Sequence, residues 1–343
     1  MPGMLETFII MVVKIGVVFS VLLLVAAYMT WIERKVIAHI QVRWGPTRVG
    51  PFGLLQPIAD GIKLFFKEDL IPSQVDRVLF LLAPALSVIP AMIASAVIPF
   101  GGTTTLFGLL PHPVSLQITD IDVGVLYVFG ITSLGVYGIV LAGWASNNKY
   151  SLLGGLRSSA QMISYELSMS LSVVGVLILV GSLRLSEIVQ AQTGFAWWLG
   201  VVPVPNWFVF SQPLGFIIFF TCALAETNRA PFDLPEAETE LVAGFHSEYS
   251  SMKFAMFFMA EYANMATGSA VATTLFLGGP LGPFGPSPVW FIGKVFTLLF
   301  IFIWFRASLP RFRYDQLMTF GWKRLLPLSL VNLVATAVVA SVQ

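Results

Sequence analysis

The sequence predicts an all-α integral membrane protein with about eight transmembrane helices and an amphipathic interfacial helix in the first cytoplasmic loop. Hydrophobic residues make up 57% of the 343 residues, charged residues only 11%, and the mean hydropathy is +0.84. Several apolar runs approach the roughly 20 residues that a helix needs to cross a bilayer core. This composition excludes an ordinary soluble domain, and we expect residues 1–343 to form a single polytopic membrane domain.

The apolar runs define the predicted spans and their irregularities. Pro84 and Pro90 should kink the second span and Pro213 the fifth, because proline removes a helical hydrogen bond. The N-terminal run is too long for a signal peptide, so we expect a retained helix. The predicted spans are roughly 7–31, 79–100, 122–145, 159–181, 207–227, 252–277, 289–305 and 324–341.

The distribution of basic residues predicts the orientation. Most of the 19 Lys and Arg residues fall in the connections after spans one, three, five and seven. The loops on the other side contain a single Lys or Arg residue, Arg184. Because cytoplasmic loops of membrane proteins are enriched in Lys and Arg, both termini should face the periplasm or its equivalent. The net charge of +1 gives no electrostatic reason to expect nucleic-acid binding.

The first cytoplasmic connection contains a helical pattern of its own. In the stretch GLLQPIADGIKLFFKE, residues 53–68, apolar side chains recur with a helical period. Asp60, Lys63 and Lys67 lie between them. This pattern predicts an amphipathic helix that lies along the membrane interface rather than across it.

The connection after the fifth span is unusually acidic. A third of the 18 acidic residues fall within residues 226–250, where apolar residues and prolines are interleaved with them. Crowded carboxylates interact and can exchange protons near neutral pH, although a simple solvated acidic loop is the alternative interpretation. The six acidic residues are Glu226, Asp233, Glu236, Glu238, Glu240 and Glu248.

Three acidic residues lie within or at the end of successive predicted spans. Glu166 and Glu261 are about two turns inside the cytoplasmic ends of spans four and six, and Glu226 closes span five. A carboxyl group in hydrocarbon is costly, so these side chains should face the protein interior or water. They predict a polar path through the membrane domain, with a helix–helix hydrogen bond from a protonated carboxyl group as the alternative.

The metal-ligating residues are sparse. Cys222 is the only cysteine, and none of His39, His112 and His246 lies inside an apolar run. Iron–sulfur clusters and structural zinc need about four ligands, so we expect this chain to carry no redox centre and bind no metal.

Four stretches resemble the H subunit family of bacterial complex I, called subunit 1 in mitochondria. They are residues 53–68 above, PFDLPEAETELVAGFHSEYS at 231–250, WIERKVIAHIQVRWGPTRVGPFG at 31–53 and PRFRYDQLM at 310–318. The resemblance covers essentially the whole chain. It implies a membrane subunit of proton-translocating NADH:quinone oxidoreductase that is not catalytic alone and forms much of a quinone tunnel.

The resemblance also implies roles for individual residues. The tunnel would involve Arg34, Asp60, Lys63, Arg229, Phe232, Asp233 and Arg306. Coupling to protons would involve Glu166, Glu226, Glu236, Glu238, Glu240 and Glu261.

The resemblance further implies partners, a substrate and a location. Peripheral-arm subunits would supply FMN, the iron–sulfur clusters and the quinone head-group site, and other membrane-arm subunits would complete the assembly. The substrate would be a quinone, with ubiquinone favoured, and the location a bacterial inner membrane, with the mitochondrial inner membrane as the alternative.

Two other functions stay open at this point. A related membrane-bound hydrogenase, or another quinone or ferredoxin oxidoreductase, would contain the same type of subunit, and the neighbouring partner subunits would decide. An independent transporter or channel would be active as an isolated chain, and it often shows an inverted repeat, which this sequence lacks.

Overall fold

A computed structural model describes residues 4–104, 112–198, 202–233 and 244–342. Within these residues the fold is all-α, as predicted, with two short antiparallel hairpins. The helices are α1 (Met4–Ile40), α2 (Gln56–Phe65), α3 (Arg77–Ile93), α4 (Gly124–Ala145), α5 (Lys149–Val180), α6 (Leu185–Ala191), α7 (Phe208–Ser211), α8 (Pro213–Glu226), α9 (Ser251–Phe276), α10 (Pro288–Ser308), α11 (Tyr314–Phe320) and α12 (Leu326–Val342). The hairpins pair β1 (Thr103–Thr104) with β2 (Val114–Ser115), and β3 (Phe195–Trp198) with β4 (Val202–Pro205).

Helices occur at all eight predicted spans. In the part of the chain that the structure describes, six helical stretches are long and apolar enough to cross a membrane. They are α1, α3 with the turn that follows it, α4, α5, α10 and the α11–α12 unit. Of the other two, α8 is apolar but only 14 residues long, and α9 has 26 residues that include more polar side chains. The predicted amphipathic helix is α2.

The fourth span begins about ten residues earlier than its hydropathy predicts, at Lys149. Asn148 caps α5, because its side-chain oxygen accepts a hydrogen bond from the Tyr150 amide (3.0 Å). The first turns are polar but packed, and the Ser151 hydroxyl donates to the Phe245 carbonyl (2.9 Å). A Cβ at Gly154 would lie 2.8 Å from the Phe245 amide nitrogen. Small residues therefore bring this end of α5 against the loop before α9, which a hydropathy profile does not reveal.

The kink expected at Pro213 is instead a break. Helix α7 ends at Ser211, Gln212 is non-helical, and α8 begins at Pro213. Proline suits the first position of a helix because its missing amide hydrogen would have no partner there. By contrast, α3 continues through both Pro84 and Pro90.

Helix α9 lies at the centre of the fold. It packs against α1, α3, α8 and α10, and α5 packs against both α4 and α8. Aromatic rings fill the contacts between these helices, including Phe219 with Phe276 (5.6 Å between centroids) and Phe220 with Phe302 (4.9 Å). Apolar side chains at the start of α1 and along α12 are exposed instead, as expected for surfaces that face lipid or other membrane proteins.

The predicted topology is testable with single cysteines at exposed polar positions. Ser73 follows α2, Thr193 follows α6, and both are exposed. We expect Ser73→Cys to react with an impermeant thiol reagent only in inverted vesicles and Thr193→Cys only in right-side-out vesicles. Cys222 is fully buried and should give little background. Gly282, in another loop on the Thr193 side, is unsuitable as a labelling position, because a Cβ there would lie 2.2 Å from Trp290. Labelling of both cysteines from one side would contradict the orientation.

Candidate functional site

A surface ion pair joins α1 to the amphipathic helix α2. Arg34 Nη1 lies 2.6 Å from Asp60 Oδ2, and Gln56 Nε2 donates to Asp60 Oδ1 (2.8 Å). Lys63 is exposed on the same helix. The arginine and the aspartate side chains are 53% and 32% exposed, so the pair adds little stability by itself. Its position is informative, because it places three of the predicted tunnel residues together on α1 and α2.

The start of α9 holds the other end of α2. The Ser251 hydroxyl donates to the Leu64 carbonyl (2.9 Å). Lys253 Nζ lies 2.9 Å from Asp69 Oδ1, just beyond α2. The apolar side chains of α2, including Ile58, are largely exposed. The helix is thus anchored by polar contacts at its middle and near its C-terminal end, while its apolar side chains remain available to lipid or to an apolar ligand.

A buried charge cluster begins one residue away from Arg34 along α1, at Glu33. The Arg229 guanidinium contacts carboxylates from two helices, and the residue is 5% exposed. Its Nη2 lies 3.1 Å from Glu261 Oε2 on α9, and its Nη1 lies 3.7 Å from Glu33 Oε1 on α1. Arg306 at the end of α10 also pairs with Glu33. Two arginines and two glutamates therefore balance one another inside the protein.

Tyr262 completes the charge cluster. Its hydroxyl donates to Glu33 Oε2 (2.7 Å), and its ring lies under the Arg229 guanidinium, 4.3 Å from ring centroid to Cζ. A buried ion pair needs such additional partners to offset the loss of hydration. Removal of one partner would leave an uncompensated buried charge, which costs about 3–5 kcal/mol. The arrangement is sensitive to any change in the charge of its carboxylates.

The next segment of the chain, residues 231–233, is held from two sides. Arg311 Nη2 lies 3.1 Å from Asp233 Oδ2, and Arg311 Nε donates to the Asp233 carbonyl (2.7 Å). The Phe232 ring packs between Tyr165 on α5 (5.6 Å) and Phe312 (5.5 Å). Phe232 and Asp233 are thus fixed against both α5 and the connection between α10 and α11.

Two small cavities lie between the intramembrane acids. One of about 30 Å³ and one of about 20 Å³ both border Glu226, Thr227 and Asn264. The smaller one also borders Glu261. A cavity needs roughly 10–15 Å³ to hold a water molecule, so each has room for one. Asn264 Oδ1 is buried and has no hydrogen-bond partner among the described residues, which suits an acceptor for such a water.

Glu166 lies near the same path. It is half-buried on α5, which packs against α8, and it lies within electrostatic range of Glu226. The preceding residue, Tyr165, is fully buried and donates its hydroxyl hydrogen to the Leu317 carbonyl (2.9 Å). Leu317 precedes a π-helical segment, Gly321–Leu325, which joins α11 to α12. Such segments are rare in proteins and occur often at functional sites.

The predicted site residues fall into three groups. Arg34 on α1 lies with Asp60 and Lys63 on α2; Arg229, Arg306 and Glu261 meet in the charge cluster; Glu226 borders both cavities, and Glu166 lies within electrostatic range of it. Phe232 and Asp233 follow closely after Arg229. Glu236, Glu238 and Glu240 lie outside the described residues.

Sequence reasoning missed Glu33 and Arg311, to which the structure gives central contacts. For Glu33 a signal was present, because the charged triplet Glu33-Arg34-Lys35 directly follows a long apolar run. The run predicts a helix end there, but α1 continues to Ile40, so Glu33 is an internal helical residue that is only 6% exposed. Arg311 lies in the stretch 310–318 that resembles the family, but nothing in that stretch indicates its partner.

Comparisons with known proteins give one consistent family. The profile of the family described as "NADH dehydrogenase" matches residues 13–337. The chain is 58% identical to a Geobacter sulfurreducens protein named as an H subunit of NADH-quinone oxidoreductase, over 98% of this chain and 96% of that protein. It is 57% identical to a protein of the same name from Geobacter metallireducens, over 97% and 96%, and 57% identical to one from Thermomicrobium roseum, over 94% of each.

Proposed function

Because the chain belongs to the NADH dehydrogenase family, as an H-type membrane component of NADH-quinone oxidoreductase, we propose that it forms much of the quinone tunnel of that enzyme and couples quinone reduction to proton transfer. It acts as part of a complex and not as a catalyst by itself. FMN and the iron–sulfur clusters belong to peripheral-arm partners, which also supply the quinone head-group site, and other membrane-arm subunits complete the complex.

One observation carries this proposal: Arg229 pairs with the intramembrane carboxylate of Glu261. Arg229 also begins the segment that contains Phe232 and Asp233, so it connects that segment with Glu261. The residues assigned to the quinone and those assigned to the protons thus meet in one buried cluster. Coupled carboxylates can respond to a nearby change in charge by changing protonation or by moving. Quinone reduction takes up protons and alters local charge, which is the kind of change that this cluster can register.

Helix α2 supports the proposed tunnel entrance. A quinone with an isoprenoid tail is dissolved in lipid, so its entrance should lie at the membrane interface and offer apolar contacts. The exposed apolar side chains of α2, with the Arg34–Asp60 pair beside them, meet that requirement. The deeper residues, Arg229 and Asp233, supply charges that could orient the polar quinone head.

The two cavities support the proposed proton path. Water in the smaller cavity would contact Glu261 and Asn264, and water in the larger one would contact Asn264 and Glu226. A proton could then pass between the two carboxyl groups without crossing an apolar barrier. Glu236, Glu238 and Glu240 would extend this acidic set toward the peripheral arm.

The membrane location follows from the helices, and the finer placement is part of the proposal. We place the chain in a bacterial inner membrane with both termini in the periplasm, because the basic residues concentrate in the loops on the α2 side. The names of the relatives include a quinone, which favours the quinone enzyme over a related hydrogenase. Ubiquinone is the proposed quinone, by resemblance.

A photoreactive quinone tests the tunnel directly. In the assembled complex, a quinone analogue with a photoreactive group on its tail should label peptides of this chain that contain α2 and residues 229–233. Excess unlabelled quinone should abolish the labelling, because both compounds compete for one site. Labelling confined to the outer loops, such as 281–287, or to other subunits only, would show that this chain does not form the tunnel.

A further inference from the structure

Gln161 occupies an unusual position between the two parts of the proposed site. It lies on α5 and is fully buried. Its Nε2 donates hydrogen bonds to the Ala225 carbonyl (2.8 Å) and to the Phe232 carbonyl (2.8 Å), and lies 3.3 Å from Asn228 Oδ1. Ala225 immediately precedes Glu226, and Phe232 immediately precedes Asp233. One side-chain amide therefore binds the backbone next to each of two proposed functional carboxylates.

The other end of this amide needs a physical explanation. Gln161 Oε1 is buried and has no hydrogen-bond partner among the described residues. A buried polar atom without a partner is costly, and an apolar side chain of the same size would avoid that cost. An apolar residue would leave the buried Phe232 carbonyl without a donor among the described residues, whereas the Ala225 carbonyl would still accept from the Asn228 amide (3.3 Å). The two amide hydrogens are thus the feature of Gln161 that the fold uses.

We propose that Gln161 is a positioning residue that holds the Phe232–Asp233 segment against the end of α8, so that a change at the quinone segment reaches Glu226. This inference rests on the proposed function. Gln161 is not a catalytic residue in this view, because it acts through the backbone on either side of it. The proposal differs from a role in packing alone, since it requires the donated hydrogen bonds and not only the volume of the side chain.

Three substitutions separate these roles. Gln161→Met keeps the approximate volume and removes both donors. Gln161→Asn keeps the amide but shortens it, so that it can bond only one of the two carbonyls. Gln161→Glu places a carboxylate among acceptor oxygens, and only its protonated form can donate, to one carbonyl.

We expect a graded loss of quinone-dependent turnover per assembled complex. It should fall about fivefold or more in Gln161→Met, roughly 1 kcal/mol in the barrier, with a raised KM for the quinone. The turnover of Gln161→Asn should lie between that of Gln161→Met and that of the native enzyme. NADH oxidation by a hydrophilic artificial acceptor should not change, because that acceptor takes electrons upstream of the quinone.

Gln161→Glu should add a pH dependence to that of the native enzyme. The ratio of variant to native turnover should rise as the pH falls, because protonation restores one donor. The other titrating groups are present in both enzymes, so the ratio reports residue 161 together with its coupling to its ionisable neighbours. The ionisable groups within about one turn of Gln161 on α5, and those on or next to the segments that it joins, are Arg157, Tyr165, Glu166, Cys222, Glu226, Arg229, Asp233 and Arg311.

Gln192 offers a matched control far from these segments. It is also buried, and its Nε2 donates to the Thr274 carbonyl (2.9 Å) and to the Ile188 carbonyl (3.2 Å). Unlike Gln161 Oε1, its Oε1 also accepts hydrogen bonds, from the Gly278 amide (2.8 Å) and the Phe208 amide (3.3 Å). Gln192→Met and Gln192→Glu should lower the amount of assembled complex at most, with unchanged KM and an unchanged pH profile per complex. These variants measure how far the loss of a buried side-chain amide destabilises the complex at a site away from the quinone and the protons.

The outcomes are distinguishable. Gln161 variants that match the Gln192 variants in KM, turnover per complex and pH ratio would overturn the inference. If Gln161→Met does not assemble, Gln161→Asn and the pH ratio of Gln161→Glu still decide. If Asp233→Asn leaves quinone turnover unchanged, the proposed function itself fails. If Asp233→Asn lowers it while the Gln161 variants behave like the controls, only the role of Gln161 is wrong.

Discussion

Asp233→Asn should lower quinone-dependent turnover about tenfold or more, equivalent to roughly 1.4 kcal/mol in the barrier. The substitution removes a negative charge next to Phe232 and keeps a side-chain oxygen that can accept from Arg311. Arg311 also holds the Asp233 carbonyl, so the local backbone should stay in place. Assembly should therefore be normal, and the measured loss would belong to the charge.

Two controls separate this loss from a general defect. NADH oxidation by a hydrophilic artificial acceptor should stay near normal in Asp233→Asn. Glu248→Gln should be milder, because Asn148 Nδ2 donates to Glu248 Oε1 (2.7 Å) and a glutamine oxygen can accept the same bond. Equal loss of both activities in Asp233→Asn, with intact assembly, would mean that this segment does not act at the quinone step.

Glu261→Gln should have the second large effect, on proton translocation. Glutamine keeps the size of the side chain and can still accept from Arg229, but it cannot ionise. The cluster would then contain two arginines against the single carboxylate of Glu33. If Glu261 exchanges protons through the water-sized cavity it borders, coupled turnover should fall about tenfold or more, roughly 1.4 kcal/mol.

The same substitution carries a structural cost that needs its own control. An unbalanced buried charge destabilises the protein, so the amount of assembled complex must be measured first. Glu166→Gln is the control, because Glu166 is half-buried and forms no ion pair with an arginine among the described residues. Native proton translocation in both variants, with normal assembly, would favour simple helix–helix hydrogen bonding by these carboxyl groups.

Much of the helical framework is predictable from the sequence, because length and hydropathy are local properties. The amphipathic pattern of 53–68 predicts α2 for the same reason. The early start of α5 is not predictable in this way, since its first turns are polar and stabilised by contacts with Phe245. The break before α8 depends on how Pro213 is used, and proline allows either a kink or a helix start.

The sequence indicates which charged residues belong to the candidate site, but not which of them form ion pairs with one another. Glu261 attracts attention because a charged residue is costly in a membrane, whereas Arg229 is indicated only by the family resemblance. Arg229 pairs with Glu261 and Glu33, and Glu33 also pairs with Arg306; these positions are far apart in the sequence, and only the packing of α1, α9 and α10 brings them together. Gln161 gave no local signal, because its partners are backbone carbonyls of a distant segment.

The ratio of protons translocated to electrons transferred, measured in proteoliposomes of the assembled complex, tests the central claim most directly. Asp233→Asn should lower both rates together and leave the ratio near its native value, because the charge acts at the quinone step. Glu261→Gln should lower the ratio in the quinone reduction that remains, because the carboxyl group acts on protons. A native ratio in Glu261→Gln, at normal assembly and native turnover, would contradict the coupling of quinone reduction to proton transfer through this cluster.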